Sequence, residues 1–545
     1  MATASEQETK PTLSQGRPGG SARMGAFGGH LWMAILGIAL VLLGAGAYIV
    51  SKSYEEPRTA KALARAIPVN AGAQNGLDLS AHNSPTIVQN PRNDANLVVT
   101  DRIDSPRYSC ALSVSFDGGA SYTQTPIPAP AGEEPKCYAP DAAFGSDGTL
   151  YLSYATLKGR ANAPNAVWIA RSNDGGRTLT QPVRVLGKLA FQTRLTADPT
   201  RRGRLYLTYL RASDVGLYRF SETGNPIQAV RSEDGGTSWS EPTRVSDAGR
   251  ERAVAPSPAI GPNGELYVLY LDLGEDALDY EGAHRGRGGP PYPGRWKLVL
   301  ARSRDRGGTW SESEVTDEIV PTERFIAFTP PFPSVAVDQD SGRVYAGFQD
   351  GRLGDPDVMV WSLPDGEKEW EGPTRVNDTP KGDGTSQYLP KLSVAPDGRL
   401  DALYFDRRAD RDNLMNEVSF QYSVDDGKKF SQRIRLSDRG FDSRIGFGTE
   451  RGLPDLGSRL GLLSTDDRAL GVWTDTRAGT RTSGKQDLAE RVVAFSDPPR
   501  LSGALEALLR YGGIAVAIAG LLLLLVWLLG QRAGDALARF TFAGR

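Results

Sequence analysis

Two segments of the chain carry no charged residue over 20 positions and stand apart from the polar sequence between them. They run from Leu31 to Val50 and from Tyr511 to Gly530. At a rise of 1.5 Å per residue, 20 helical residues cross a hydrocarbon core about 30 Å thick. The pattern predicts two transmembrane helices, with both termini on one side and residues 51–510 on the other. Because small residues, Gly44 to Ala47, end the first run, a cleaved signal peptide is the alternative interpretation of that run.

Between these segments, short apolar runs flank a motif of the form Ser-x-Asp-x-Gly, followed by an aromatic residue or leucine. Such a motif predicts a hairpin turn, because Asp can bond backbone amides, Gly accepts a positive φ and the following apolar residue packs on the sheet. Five copies begin at Ser115, Ser172, Ser232, Ser303 and Ser423, and a sixth, degraded copy runs from Ser362 to Trp370.

A second pattern precedes the turns: an extended segment, a Gly or Asn turn, and a strand such as Leu266 to Tyr270. Together the two patterns give seven units of four strands, which we name A, B, C and D in chain order. Repeats of this kind predict an all-β fold, a seven-bladed β-propeller. The seventh unit lacks strand D, and we expect Arg65 to Asn70 to supply it and close the ring. The predicted propeller occupies residues 65–498, with linkers at 51–64 and 499–510 and cytoplasmic tails at 1–30 and 531–545.

Composition narrows the functional classes. The chain of 545 residues has 63 Lys and Arg against 65 Asp and Glu, and this net charge of −2 argues against binding to nucleic acid. Three His and two Cys are too few for a Cys/His zinc site, so we expect neither a metal nor another cofactor. A single cysteine pair in an exported domain is typical of a disulfide, here Cys110 with Cys137. We therefore expect a protein of the cell membrane whose propeller lies on the extracytoplasmic side.

The repeated Ser-x-Asp-x-Gly motif resembles the Asp-box, or BNR repeat, of the sialidase superfamily, and the resemblance covers about Ala66 to Ser496. Asp-boxes are structural in that superfamily and also occur in propellers of other functions, including xyloglucan hydrolases, sorting receptors and photosystem assembly factors. The resemblance implies a six-bladed propeller of the sialidase type, whereas the repeats in this sequence give seven blades. It also implies hydrolysis of sialic-acid glycosides, in which an arginine triad binds the sugar carboxylate, a Tyr supported by Glu is the nucleophile and an Asp is the acid/base.

The candidate site follows from where the repeats place charged residues. Connections from B to C and from D to A share one face, which we call the loop face, and they are the longer ones. Asp and Arg recur at the end of strand B, and Thr-Glu-Arg recurs in two D-to-A loops. Arginines from several blades could bind a carboxylate, sulfate or phosphate, and nearby carboxylates could act as acid or base. Candidate ligand-binding residues are Arg102, Arg324, Arg352, Arg408, Arg451 and Arg477; candidate catalytic residues are Asp350, Asp406, Glu323, Glu450 and Tyr388.

Each of these residues also has a structural interpretation. A repeated Asp–Arg pair is commonly an ion pair that ties blades together, and a single Tyr is commonly a packed ring with one hydrogen bond. Two functional hypotheses therefore stay open. The first is a membrane-anchored, sialidase-like glycoside hydrolase that acts on anionic glycans. The second is a non-catalytic propeller that serves as a binding or assembly scaffold at the cell surface.

Overall fold

A computed structural model describes residues 31–53, 59–73, 75–160, 162–214, 222–250, 252–277, 292–322, 331–446, 456–496 and 503–542. The chain divides into two compact units, of which the larger spans Ala60–Phe495. Two short strands lie at the N-terminal end of the larger unit, β1 (Thr59–Ala62, whose first residue precedes the unit) and β2 (Ile67–Pro68). The smaller unit contains the helices α1 (Leu31–Ser53), α2 (Gly503–Ala507) and α3 (Gly513–Phe542), with a π-helical turn at Leu508–Gly512 before α3.

Seven antiparallel sheets form the larger unit, and each sheet is one blade of a β-propeller. Strands A to D follow one another in the chain within each of blades 1 to 6. Blade 1 contains β3 (His82–Asn90), β4 (Asn93–Ile103), β5 (Ser109–Ser115) and β6 (Thr123–Gln124). Blade 2 contains β7 (Cys137–Phe144), β8 (Leu150–Lys158), β9 (Ala163–Ser172) and β10 (Val183–Leu186). Blade 3 contains β11 (Ala190–Ala197), β12 (Leu205–Arg211), β13 (Ile227–Ser232) and β14 (Thr243–Arg244).

The remaining blades have the same order. Blade 4 contains β15 (Ala253–Ile260), β16 (Leu266–Asp272), β17 (Trp296–Ser303) and β18 (Ser311–Ile319). Blade 5 contains β19 (Ser334–Val337), β20 (Val344–Asp350), β21 (Asp357–Leu363) and β22 (Glu371–Arg375). Blade 6 contains β23 (Gln387–Val394), β24 (Leu400–Asp406), β25 (Met415–Ser423), β26 (Ile434–Arg435) and β27 (Phe441–Asp442). Blade 7 contains β28 (Gly461–Ser464), β29 (Arg468–Asp475) and β30 (Asp487–Ser496). The predicted seven-bladed fold is confirmed, and the six-bladed alternative is wrong.

The ring closes through the N-terminal strands. In β2, Ile67 pairs with Glu490 and Pro68 with Ala489 of β30, so the prediction that Arg65 to Asn70 completes blade 7 is confirmed. β1 also joins this sheet and extends the blade into residues that the sequence analysis assigned to a linker. The last blade therefore combines both ends of the propeller sequence, which leaves β30 paired on both sides.

Each of the five complete Ser-x-Asp-x-Gly motifs forms the same turn. In the first, Ser115 Oγ donates to Asp117 Oδ1 (2.7 Å) and accepts from the backbone N–H of Gly119 (2.9 Å), while Asp117 Oδ1 also accepts from Ser121 N–H. Gly119 has φ of 95°, the left-handed region in which glycine avoids steric strain. Equivalent Ser–Asp bonds begin at Ser172, Ser232, Ser303 and Ser423. The predicted hairpin turns are thus confirmed as local, self-contained structures.

Glu490, on β30, lies at the junction between blades 7 and 1. Its side chain is buried and accepts a hydrogen bond from the Tyr122 hydroxyl through Oε2, and Oε1 has no hydrogen-bond partner within the described part of the chain. Burial raises the pKa of Glu490 from 4.5 to about 7, although Tyr122 and Arg468 oppose the increase. The folded state therefore holds this proton more tightly than the unfolded state does. The contribution of Glu490 to stability is greatest below pH about 4.5 and is lost as the pH rises towards 7.

The variant E490Q tests this linkage, since an amide keeps the acceptor for Tyr122 and cannot ionise. At pH 5 the two proteins should unfold at similar urea concentrations. At pH 8 we expect E490Q to be more stable by about 2 to 3 kcal/mol, the free energy of deprotonating a group with a pKa raised this far. E318Q is the matched control, because that side chain is 75 % exposed. Equal stability of E490Q and the wild type at pH 8 would contradict the buried, proton-binding role.

The helices α1 and α3 of the smaller unit are long and apolar enough to cross a membrane. Glycines lie where the two helices meet. A Cβ atom on Gly44 would lie 2.4 Å from the Gly513 carbonyl oxygen, and one on Gly520 would lie 2.6 Å from the Gly37 carbonyl oxygen. The two backbones therefore approach more closely than side chains would allow, as small residues permit between transmembrane helices.

Replacing Gly44 by leucine should therefore force α1 and α3 apart. A matched control exists two residues away, since a Cβ on Gly46 meets no atom within 4 Å. Pulsed EPR between spin labels at the exposed positions Leu42 and Leu525 measures the separation. We expect G44L to lengthen this distance by about 2 Å, the difference between glycine-mediated and ordinary helix packing, and G46L to leave it unchanged. An unchanged distance in G44L would show that the glycines do not determine the packing.

Candidate functional site

The structure describes some of the predicted site residues. Glu323, Arg324, Glu450 and Arg451 lie outside the described residues. Three Asp-x-Arg pairs lie at the ends of strands β20, β24 and β29, on successive blades. In each pair the Arg Nε lies 2.7 Å from Oδ2 of its own Asp, and the Arg backbone N–H also donates to that carboxylate. The pairs are Asp350 with Arg352, Asp406 with Arg408, and Asp475 with Arg477.

Each of these arginines also reaches the last strand of the preceding blade or the connection that follows it. Arg352 donates to the Glu318 carbonyl oxygen at 3.2 Å, Arg408 to the Asp378 carboxylate and Arg477 to the Asp438 carboxylate at 3.4 Å. The repeated Asp and Arg side chains thus bond to one another and to the neighbouring blade. This is the geometry of the structural interpretation, in which opposite charges hold blades together.

Arg102 and Tyr388 lie in different surroundings. Arg102 donates to Asp104 (2.7 Å) and to the Tyr138 hydroxyl (2.9 Å). The Tyr388 ring is 2 % exposed, and its hydroxyl donates to Asn416 Oδ1 at 2.7 Å. A nucleophile has to reach its substrate, and this phenol is enclosed by protein in the described structure.

The predicted disulfide is confirmed. Cys110 at the start of β5 is bonded to Cys137 at the start of β7, with the two Cα atoms 5.5 Å apart. The bond links blade 1 to blade 2.

A cavity of about 210 Å³ lies at the centre of the ring. All seven blades line it, each with residues of strand A or of the segment just before strand A. We call it the central channel. Most of its polar lining comes from one side chain per blade, and four of these side chains are ionisable. In blade order the residues are Thr86, Asp141, Arg194, Ser257, Ser334, Lys391 and Arg459.

A recurring bulge presents these side chains to the channel. In six blades a residue with positive φ lies two positions before the channel residue. In five of these blades the pairing between strands A and B shifts register just before the channel residue. Pro usually lies between the two, and it suits a bulge because it has no N–H to leave unpaired. The residues with positive φ are Ser84, Ala139, Gln192, Ala255, Leu389 and Gly457, with φ from 49° to 87°.

Positive charge exceeds negative charge in this channel. Asp141 is 1 % exposed and accepts hydrogen bonds from Arg194 Nε (2.9 Å) and from the backbone N–H of Leu195 (3.0 Å). Arg459 donates to the backbone oxygens of Ser84 and Pro140. Burial opposes ionisation of Asp141, but Arg194 and Arg459 outweigh it and lower the pKa of this carboxyl.

Lys391 differs from its neighbours because its ammonium group forms no ion pair or hydrogen bond within the described part of the chain. It faces the channel in the company of Arg194, Arg459 and Asp141. Burial and the two nearby guanidinium groups lower the pKa of Lys391 to about 8, while Asp141 opposes the decrease. A desolvated ammonium group with no carboxylate of its own can donate to an anion that enters the channel.

Sequence reasoning missed the channel, although the sequence contains a signal for it. In five blades the channel residue directly follows a Pro at the beginning of strand A, as in Pro140-Asp141 and Pro390-Lys391. Of the predicted residues, Arg102 lies within electrostatic range of this cluster, since it acts on the pKa of Arg459. Among the described residues no group of three or more His, Cys, Asp or Glu side chains is arranged to hold a metal.

Comparison with known proteins gives similarity to solved structures only. No protein-family model and no curated protein matches the chain. A protein of unknown function from Dyadobacter fermentans is similar over 80 % of this chain and 99 % of its own, with 15 % identity and a TM-score of 0.44. The microbial sialidase Hz136 is similar over 74 % of each chain, with 14 % identity and a TM-score of 0.40. The α-L-arabinofuranosidase Arb93A from Fusarium graminearum is similar over 67 % of this chain and 98 % of its own, with 16 % identity and a TM-score of 0.40.

Proposed function

We propose that this chain is a membrane-anchored propeller that binds the anionic group of a ligand, such as an acidic glycan, in its central channel. The excess of positive charge in the channel carries the proposal: Arg194, Lys391 and Arg459 face it with one carboxylate, Asp141. A carboxylate or sulfate that enters would gain a hydrogen bond from the ammonium group of Lys391 and the attraction of two guanidinium groups in a partly enclosed space.

The proposed location is the extracytoplasmic side of the cell membrane. Two observations support it: the helices α1 and α3 are apolar enough to span a bilayer, and the Cys110–Cys137 disulfide is of the kind that persists in oxidising compartments. Acidic glycans are ligands that a protein meets on that side.

Hydrolysis of the bound glycan is the second candidate, and the resemblance of the Ser-x-Asp-x-Gly turns to sialidase repeats favours it. Most glycosidases use two carboxyl groups that flank the scissile bond. Asp141 is bonded to Arg194, and Asp350 and Asp406 are bonded to Arg352 and Arg408. Binding is therefore the function that the described geometry supports best, since each of these carboxylates is already bonded to an arginine.

The test uses the full chain in detergent and a panel of 3′-sialyllactose, glucuronic acid, a sulfated disaccharide and neutral lactose. Calorimetry should show binding of the anionic members and at least tenfold weaker binding of lactose, a difference of about 1.4 kcal/mol. Release of free sugar from the same samples reports hydrolysis separately. Equal affinity for lactose and the anionic sugars, or binding of none of them, would refute the proposal.

A further inference from the structure

The charges that face the central channel do not balance. Arg194, Lys391 and Arg459 are three cationic side chains, and Asp141 is the one carboxylate among the described residues around them. Unbalanced charge at half-buried and buried positions is costly. A guanidinium group stays protonated throughout the physiological pH range, whereas a lysine that is partly removed from water changes its protonation state readily. Lys391 is therefore the group through which the cluster can relieve its excess of positive charge.

Deprotonation of Lys391 removes part of the excess and creates a nucleophile. The neutral amine has a free electron pair, faces a cavity of about 210 Å³ and has no hydrogen-bond partner within the described part of the chain. Desolvated lysine amines attack electrophilic carbon for this reason. The cavity easily admits a reagent of three heavy atoms.

We propose that Lys391 is a carbamylation site, at which dissolved CO₂ adds to the side-chain nitrogen. The nitrogen electron pair forms a bond to the carbon of CO₂, and the electron pair of one C=O π bond moves to its oxygen. The nitrogen then releases one proton to water. The product is an N-carboxylate with one negative charge, and the step requires neither an oxidant nor a reductant.

The carbamate would complete the charge balance of the cluster. Two guanidinium groups, on Arg194 and Arg459, would then face two anions, the carbamate and Asp141. Carboxylate oxygens and guanidinium N–H groups are well matched as acceptors and donors. Lysine and the carbamate thus give the channel two states, one with a positive excess and one that is neutral.

This modification shares its residues with the proposed anion site and does not depend on which anion binds there. An external anion needs the positive excess that the carbamate removes, so CO₂ and an anionic ligand should exclude each other. The two proposals can fail separately, since anion binding is measured in CO₂-free buffer and carbamylation without added ligand.

The experiment is ¹³C NMR of the full chain in detergent at pH 8.5 with ¹³C-labelled bicarbonate as the source of CO₂. The protein carries ¹⁵N-labelled lysine, so that one-bond coupling between ¹³C and ¹⁵N distinguishes a carbamate from bound bicarbonate. We expect one coupled carbamate signal per chain in the wild type. The signal should persist in K188M, which changes an exposed lysine, and disappear in K391M.

Folding is checked in the same samples by near-ultraviolet circular dichroism, which K391M should leave unchanged. No coupled signal in the folded wild type at saturating CO₂, or an undiminished signal in folded K391M, would overturn the assignment. If K391M does not fold, K391R provides the second comparison, because its guanidinium keeps the charge and does not form a carbamate. A signal that persists in folded K391R would likewise overturn the assignment.

Discussion

Replacing Arg399 by methionine should lower the free energy of unfolding by about 3 to 5 kcal/mol, the usual effect of removing one partner of a buried ion pair. Arg399 is 1 % exposed and bonds Asp401 through two parallel contacts of 2.8 and 3.0 Å. The same guanidinium donates to the Thr465 and Asp466 carbonyl oxygens of blade 7. The Cζ atom of Arg399 also lies 3.5 Å from the centre of the Phe495 ring. One side chain therefore ties blade 6 to blade 7.

Two comparisons isolate the cause in urea denaturation followed by tryptophan fluorescence. R202M removes an ion pair whose arginine is 82 % exposed, and it should change the stability by about 0.5 kcal/mol or less. The double variant R399M/D401L removes both buried charges and should be more stable than R399M alone, because no uncompensated carboxylate is left. A loss below about 1 kcal/mol in R399M would contradict the role given to this pair.

The second large effect concerns ligand binding. K391M should weaken the binding of an anionic sugar about 10- to 100-fold, since hydrogen bonds to charged groups contribute about 1.5 to 3 kcal/mol. The fold should keep or gain stability, because Lys391 forms no ion pair with the described residues that the change would break. K188M should bind like the wild type. Unaltered affinity in K391M would show that the Lys391 amine does not contribute to the anion site.

The pH dependence of binding provides an independent check in CO₂-free buffer. The pKa of Lys391 is lowered to about 8, so the ammonium form dominates below that pH. Affinity should hold below pH 8 and fall as the pH rises above it, and the fall should end only near the higher pKa that the bound anion gives the ammonium group. K391M should show no such decline between pH 7 and 8.5, a range that stays below the pKa of about 9 to which burial lowers the Arg459 guanidinium. A wild-type affinity that is constant over this range would show that the amine does not contact the anion.

The fold could be predicted from the sequence because its main signals are local. The turn at Ser115 closes through Asp117 and Gly119, all within five residues, so each repetition is visible in the chain. The uncharged helical segments are local in the same sense. Strand β1 was missed because it has only four residues, which alternate between exposed and half-buried and therefore give a weak strand signal.

The central channel could not be predicted because its geometry depends on distant residues. Arg459 meets Pro140 across 319 positions of sequence, and a bulge in each blade sets the direction of the lining side chains. The repeated residues pointed to the Asp–Arg pairs at the ends of strand B and not to the channel. The Asp350–Arg352 pair recurs because it forms a local turn in every blade that has it, whereas the seven blades place five different residue types at the channel position. In this ring the repeated residues build the frame, and the residues that vary line the candidate site.

The most direct test of the anion site is a crystal structure of the full-length protein soaked in selenate, whose selenium is located by anomalous scattering. We expect an anomalous peak in the central channel, within hydrogen-bond distance of Lys391 Nζ and facing the Arg194 guanidinium, and its loss in K391M crystals. Peaks confined to the loop-face arginines Arg352, Arg408 and Arg477, with none in the channel, would contradict it.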